Sequence, residues 1–185
     1  MGVEIERKFL VDGNDWQSLT FERVLKIRQG YLTVGSSAPL APLETRVRIS
    51  ECLSEDSAPT KTAVLTVKSQ GDLIRQEVEC PIPVQEAEEL LSMCEERQLL
   101  KDRHVISIAG VVWEIDVYRG PLEGLVVAEV ELPSDDTDIE LPSWVGREIS
   151  DEQAFKNASL ATSYWTGRGA MPRLDKTTTQ RTVKT

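Results

Sequence analysis

Histidine is nearly absent from this chain, which holds only His104, and cysteine is sparse: Cys52, Cys80 and Cys94 are widely spaced with no C-x-x-C pair. An odd, scattered set of thiols gives neither a disulfide framework nor a Cys/His zinc site. Aromatic residues are 5% of the chain and do not interleave with the cations. That argues against an RNA-binding barrel, which stacks bases on such rings. No apolar run approaches the roughly 20 residues that cross a bilayer. The start, MGVEIERKFLV, alternates charged and apolar residues, which no signal peptide does. Glu6 stands where a myristoylation motif needs Ser or Thr. Positive charge is also short, with 21 Lys and Arg against 31 Asp and Glu and a net charge of -10. Binding to nucleic acid or an anionic membrane is not expected from such a balance. These absences leave a soluble, cytoplasmic chain whose 185 residues suffice for one well-buried domain.

What is present is ordered by charge and period. The last twenty residues carry five cations, Arg168, Arg173, Lys176, Arg181 and Lys184, against Asp175 alone. They lack periodicity and have almost no large apolar residues, so residues 169–185 read as a basic tail and 1–168 as the folded domain. Gly35–Leu43 and Glu51–Thr62 have loop composition. Val84–Leu100 spaces Ala87, Leu90, Leu91 and Cys94 as a helix does, after Pro81 and Pro83. A short helix is expected at Asn14–Leu19. A further helix is expected at Asp151–Trp165, with Ser150 as N-cap and Gln153 at the third position. Nearly everything else alternates with period two and reads as strand.

The informative feature is which residues alternate. Glu4/Glu6/Lys8, Arg46/Arg48, Thr66/Lys68, Arg75/Glu77/Glu79, Lys101/Arg103, Glu114/Asp116 and Glu129/Glu131 each place polar or charged groups at every second position. Residues two apart in a strand share a face. One such segment is an ordinary wet face of an antiparallel sheet. Together they put seven cations and eight carboxylates on one side. Curling that side inward concentrates them, and isolated desolvated charges cost several kcal/mol each. Such an interior must hold water, ions and a charged ligand. Clustered Arg and Lys suit phosphate oxygens. Clustered carboxylates suit hard divalent cations such as Mg²⁺ or Mn²⁺. Both together suit a metal-chelated polyphosphate.

In this order the segments resemble the CYTH family, also called triphosphate tunnel metalloenzymes. Glu4, Glu6 and Lys8 match its N-terminal E-x-E-x-K strand, and Gln29-Gly30-Tyr31-Leu32 its Q-G-Y-L segment. Arg46 and Arg48 match R-x-R, Thr66 and Lys68 match T-x-K, and Arg75, Glu77 and Glu79 match R-x-E-x-E. Lys101 and Arg103 match K-x-R, Trp113–Tyr118 the W-E-x-D strand, and Gly124–Leu132 the stretch ending in E-x-E. The resemblance covers about residues 1–165 and leaves out the basic tail.

It implies an α+β fold: an eight-stranded antiparallel β-barrel, or tunnel, with a charged lumen and helices packed outside. It implies metal ligands Glu4, Glu6, Glu129 and Glu131. Glu77, Glu79 and Asp116 would serve a second metal or hold basic side chains. Phosphates would be gripped by Lys8, Arg46, Arg48, Lys68, Lys101 and Arg103, with Arg75 a weaker member. Lys8, lowered in pKa by surrounding cations and helped by Tyr31, would activate water. The implied activity is Mg²⁺- or Mn²⁺-dependent hydrolysis of inorganic triphosphate to pyrophosphate and phosphate. Thiamine triphosphatase and class IV-type adenylyl cyclase are the alternatives within the family, and a polyphosphate- or nucleotide-binding module is the non-enzymatic one. The expected partner is a small-molecule triphosphate bound by a monomer or homodimer, with no nucleic acid and no membrane. His104, Trp113, Trp144 and Trp165 are expected to pack rather than to bind.

Overall fold

The alternating segments are strands, and their registers align the charged positions. The computed structural model describes residues 2–33, 43–53, 58–69, 74–94, 97–134 and 137–165, with backbone alone at 2–4, 33, 74–75 and 163–165. The basic tail and most of the Gly35–Leu43 segment lie outside the described residues. The strands are β1 (Gly2–Val11), β2 (Arg23–Thr33), β3 (Glu44–Leu53), β4 (Thr60–Lys68) and β5 (Ile74–Pro81). They continue with β6 (Gln98–Ile108), β7 (Val111–Tyr118), β8 (Val126–Glu131) and β9 (Val145–Glu148). Helix α1 spans Val84–Ser92 and α2 spans Asn157–Trp165. Among the described residues no helix is long and apolar enough to cross a membrane.

The sheet is antiparallel, in the order β5-β4-β3-β2-β6-β7-β8-β1-β9. The expected eight-stranded closed barrel is corrected here: among the described residues the sheet has nine strands and is not closed along its length. The reason lies in how β1 divides its edges. Gly2–Ile5 pairs with β5, whereas Glu6–Leu10 pairs with β8. Where a full barrel would carry β5 further along β1, β9 takes the place, with Phe9 opposite Glu148 and Val11 opposite Val145. Nothing in the period-two pattern announced this four-residue strand.

Three apolar clusters hold the sheet. Val47 and Ile49 alternate with Arg46 and Arg48, so they face outward, where they meet Ala63 and the α1 residues Ala87 and Leu91. Also on the outer side, Phe9, Trp113, Ile115, Ala128 and Val130 pack with Trp16 and Trp144. The Trp113 and Trp144 rings meet edge-on at 5.5 Å, a packing role as expected. His104 packs against Phe21 in a tilted arrangement at 4.7 Å and edge-on to Trp16 at 5.5 Å, also as expected.

The third cluster is on the inner side. Leu10, Tyr31, Leu99, Tyr118 and Val127 each sit two positions along from an inward polar residue (Lys8, Gln29, Lys101, Asp116, Glu129). They pack against Phe155, Ala158, Leu160 and Ala161. Helix α1 therefore packs outside as expected, but α2 seals one end of the inner face.

Both helices are shorter than the spacing predicts. Gln98–Leu100 leaves the α1 pattern to pair with Arg28–Gly30 of β2, because Leu99 belongs to the inner cluster. Residues Gln153–Phe155 form a 3-10 turn before α2. Ser150 is no N-cap: its Oγ accepts the Lys8 N–H at 3.0 Å and donates to Glu148 at 2.8 Å. The Asn14–Leu19 helix is a 3-10 turn at Asp15–Ser18. The Glu51–Thr62 loop is shorter, since Glu51–Leu53 and Thr60–Thr62 belong to strands.

Gly30 sits where β2 meets the end of α1. A Cβ built there would lie 2.8 Å from Cys94 Cβ and 2.9 Å from its Sγ. Overpacking a filled site costs roughly 1–3 kcal/mol. Gly30→Ala is thus expected to lower the thermal midpoint, read by calorimetry, and Cys94→Ala in the same chain should restore part of it.

Candidate active site

The inner face beyond the apolar cluster encloses a cavity of about 260 Å³. Its wall follows from the registers. Lys8 opposes Glu129 and Glu6 opposes Glu131 across β1 and β8. Glu129 opposes Glu114 on β7, and Arg103 on β6 opposes Asp116 on β7. Across β2 and β3, Tyr31 opposes Arg46 and Gln29 opposes Arg48. Arg46 opposes Thr66 and Glu44 opposes Lys68 on β4, while Thr66 opposes Glu79 and Lys68 opposes Glu77 on β5. Period-two alternation on every strand turns these positions to the same side.

Of the residues expected in the site, Glu6, Lys8, Tyr31, Arg46, Arg48, Lys68, Glu77, Glu79, Arg103, Glu129 and Glu131 line this one cavity. Glu4 and Arg75 oppose each other in the β1–β5 register, and their side chains lie outside the described residues. Lys101 and Asp116 sit behind the lining. The sequence reading missed Glu44, Ser150, Lys156 and Asn157, which also line the cavity. Glu44 carried a signal, two positions before Arg46 in the same alternation. Lys156 and Asn157 carried none, because they arrive at the start of α2 rather than on a strand.

The charges divide into two depths. The deep group centres on Asp116, which has no exposed surface. Arg103 Nε donates to its Oδ1 at 2.7 Å and Nη2 to its Oδ2 at 2.8 Å, while Lys101 Nζ bonds the same Oδ2. Arg103 Nη2 also donates to Glu129 Oε2 at 2.6 Å, and the other Glu129 oxygen takes Lys8 Nζ. Lys8 Nζ lies 3.2 Å from Glu6 as well. The shallow group is looser. Glu79 lies 3.4 Å from Arg46 and 3.3 Å from Arg48, Glu77 lies 3.3 Å from Lys68, and Glu114 pairs with the Nη1 of Arg103.

This partition bears on three expectations. Lys101, expected to grip phosphate, is not in the cavity lining, and its ammonium bonds Asp116 beside the Tyr118 ring, 5.7 Å from the centroid. Asp116 takes the second of the two roles expected of it, holding basic side chains, since both its oxygens bond cations. Lys8 is surrounded by carboxylates, not by cations. Burial alone would lower its pKa, but the charges of Glu129 and Glu6 more than reverse this and raise it. In this charge environment the ammonium form is favoured, the reverse of the lowered pKa expected for a base.

Neighbours set the other titrations too. Burial would push Glu129 up, yet Lys8, Lys101 and Arg103 hold it well below the usual carboxylate range. Burial, reinforced by Asp116 and Glu129, pushes the Tyr118 phenol well up. Protonated Tyr118 donates to Asn157 Oδ1 at 2.5 Å, which ties α2 to the wall. Arg48 is lowered by burial and by Arg46 and Arg103. Even with glutamates nearby, that corner favours an added anion. The buried Nε of Arg46 has no partner among the described residues. A phosphate oxygen would supply one.

Residues 2–164 match the CYTH domain family. The chain belongs to the CYTH family. It is 36% identical over 162 residues to an inorganic triphosphatase of Acetivibrio thermocellus, covering 86% of this chain and 94% of that one. It is 35% identical over 164 residues to an inorganic triphosphatase of Nitrosomonas europaea, covering 87% and 98%. The crystal structure of an inorganic triphosphatase superposes with a TM-score of 0.58 at 33% identity, covering 88% of this chain and 97% of that one. The CYTH match thus spans every strand that lines the cavity.

The carboxylates that line this cavity offer only oxygen ligands. Among the described residues no three His, Cys, Asp or Glu side chains converge on one point. Mg²⁺, however, is commonly held by one or two carboxylates plus substrate phosphates and water. Glu6 and Glu131, opposite each other and both lining the cavity, supply that number.

Proposed function

We propose that this chain is a metal-dependent inorganic triphosphatase, cleaving tripolyphosphate to pyrophosphate and phosphate. The observation that carries the reading is the convergence of Arg46, Arg48, Lys68 and Arg103 with Glu6 and Glu131 on one cavity, in a chain whose relatives bear that name. The acidic net charge fits a small anion drawn into a local cationic site rather than a nucleic acid.

Arg46, Arg48 and Lys68 on one wall and Arg103 on the other would bind the phosphate oxygens, with Lys156 reaching in from the start of α2. Bidentate guanidinium contacts would fix the orientation of the chain of phosphates. The orphaned Nε of Arg46 would find its acceptor there. Lys8, protonated between Glu6 and Glu129, would offset charge that develops as the anhydride breaks. Tyr31, whose hydroxyl oxygen accepts from Gln29 Nε2 at 2.8 Å, lines the same cavity and would stand beside the phosphates. Glu6 and Glu131, joined by Glu4 of the N-terminal motif, would hold Mg²⁺ or Mn²⁺. When bound, that ion would neutralise phosphate charge and polarise the scissile bond. Catalysis of this kind rests on positioning and electrostatics more than on covalent chemistry.

The test is phosphate release from tripolyphosphate, thiamine triphosphate, ATP and pyrophosphate, each with Mg²⁺ or Mn²⁺. Release is expected to be fastest from tripolyphosphate and to vanish with a chelator. No release from tripolyphosphate, or cyclic AMP formed from ATP as the main product, would overturn the reading.

A further inference from the structure

The carboxylates that touch the phosphate-binding arginines differ sharply in exposure. The side chains of Asp116 and Glu129 are 0% and 4% exposed, and each bonds two buried cations. Glu114 is 33% exposed and Glu79 is 42% exposed. Glu114 sits on the Nη1 of Arg103, the part of the guanidinium not committed to Asp116 or Glu129. Glu79 sits on Nη2 of both Arg46 and Arg48. The deep pair anchors Arg103 from behind. The shallow pair covers the donors that an incoming phosphate needs.

We infer that Glu79 and Glu114 are displaceable counter-ions that occupy phosphate seats in the free protein, and so set which anions can enter. This rests on the proposed triphosphate site and deepens it. A ligand must push both carboxylates into water, at a cost that the ligand's own charge must exceed. Both side chains are exposed enough to swing away and be solvated. Tripolyphosphate carries more negative charge than pyrophosphate or orthophosphate, and it is long enough to meet Arg46 and Arg48 on β3 and Arg103 on β6 together. A short anion displaces one carboxylate while the other still repels it. The device therefore selects for chain length and favours departure of the shorter products. Arg48, lowered by burial and by Arg46 and Arg103 even beside Glu79 and Glu114, marks where the unmet demand for negative charge lies.

Glu79→Gln, Glu114→Gln and the double variant test this, with calorimetric titration of tripolyphosphate, pyrophosphate and orthophosphate in chelator. Binding through a partly blocked site weakens by the blocked fraction. Each single variant is expected to bind pyrophosphate about three- to tenfold tighter. Tripolyphosphate should gain less, so that the preference for it narrows, most of all in the double variant. Glu44 lines the same cavity with no arginine partner among the described residues, and Glu44→Gln removes the same charge. Equal tightening in Glu44→Gln, or unchanged or weaker pyrophosphate binding in both single variants, would overturn the inference. Hydrolysis by the unmodified protein is read separately. Narrowed preference without any hydrolysis would leave the counter-ion device standing and defeat the triphosphatase reading.

Discussion

Asp116→Asn is expected to lose about 3–5 kcal/mol of stability, the cost of stranding buried charge. Among the described residues Asp116 is the only carboxylate that bonds Lys101, and it holds Arg103 through two parallel hydrogen bonds. Lys101 is 1% exposed at its side chain and cannot turn to water without opening the β6–β7 ladder. An amide keeps the shape and offers one acceptor oxygen, but supplies no charge. The measurement is equilibrium denaturation in urea. The midpoint should fall with the slope unchanged, as expected for lost stability without altered compactness. Asp116→Asn/Lys101→Met removes one charge of each sign and should recover a sizeable part of the loss. A fall below about 1 kcal/mol in the single variant would mean that the buried cluster is solvated.

Lys8→Ala is expected to cut phosphate release from tripolyphosphate by about 10²–10³-fold, the loss typical of one preorganised charge-stabilising donor. Lys8 stands between Glu6 and Glu129. Its removal takes a cation from the reacting end and leaves two carboxylates to repel the substrate. Both effects lower kcat/KM. Lys8→Arg restores the charge but not the compact ammonium, so it should recover binding more than turnover. Unchanged turnover in Lys8→Ala at saturating Mg²⁺ would remove Lys8 from the mechanism.

Which residues share the inner face was legible in the sequence, because strand alternation is strict and charge marks the face. Arg46 and Arg48, Thr66 and Lys68, and Glu129 and Glu131 all lie where period two put them. Depth along the strand was not legible. Lys101 and Arg103 share a face but differ in position by two residues, roughly 6.6 Å. That distance separates a cation behind the lining from one that, although also bonded to Asp116, reaches the cavity. The environment of Lys8 was misread for a similar reason: its cross-strand partner, Glu129, lies more than a hundred residues away, and only register pairs them. Closure of the sheet was over-read, because alternation reports faces and not how β1 shares its edges. The roles of Ser150, Lys156 and Asn157 depend on where a helix docks, which no local period encodes.

The apolar seal formed by Leu160, Ala161, Phe155 and the inner ends of the strands has a bearing on longer substrates. Among the described residues that end presents apolar side chains, so a chain of phosphates longer than the site would extend away from it, toward the charged end of the wall.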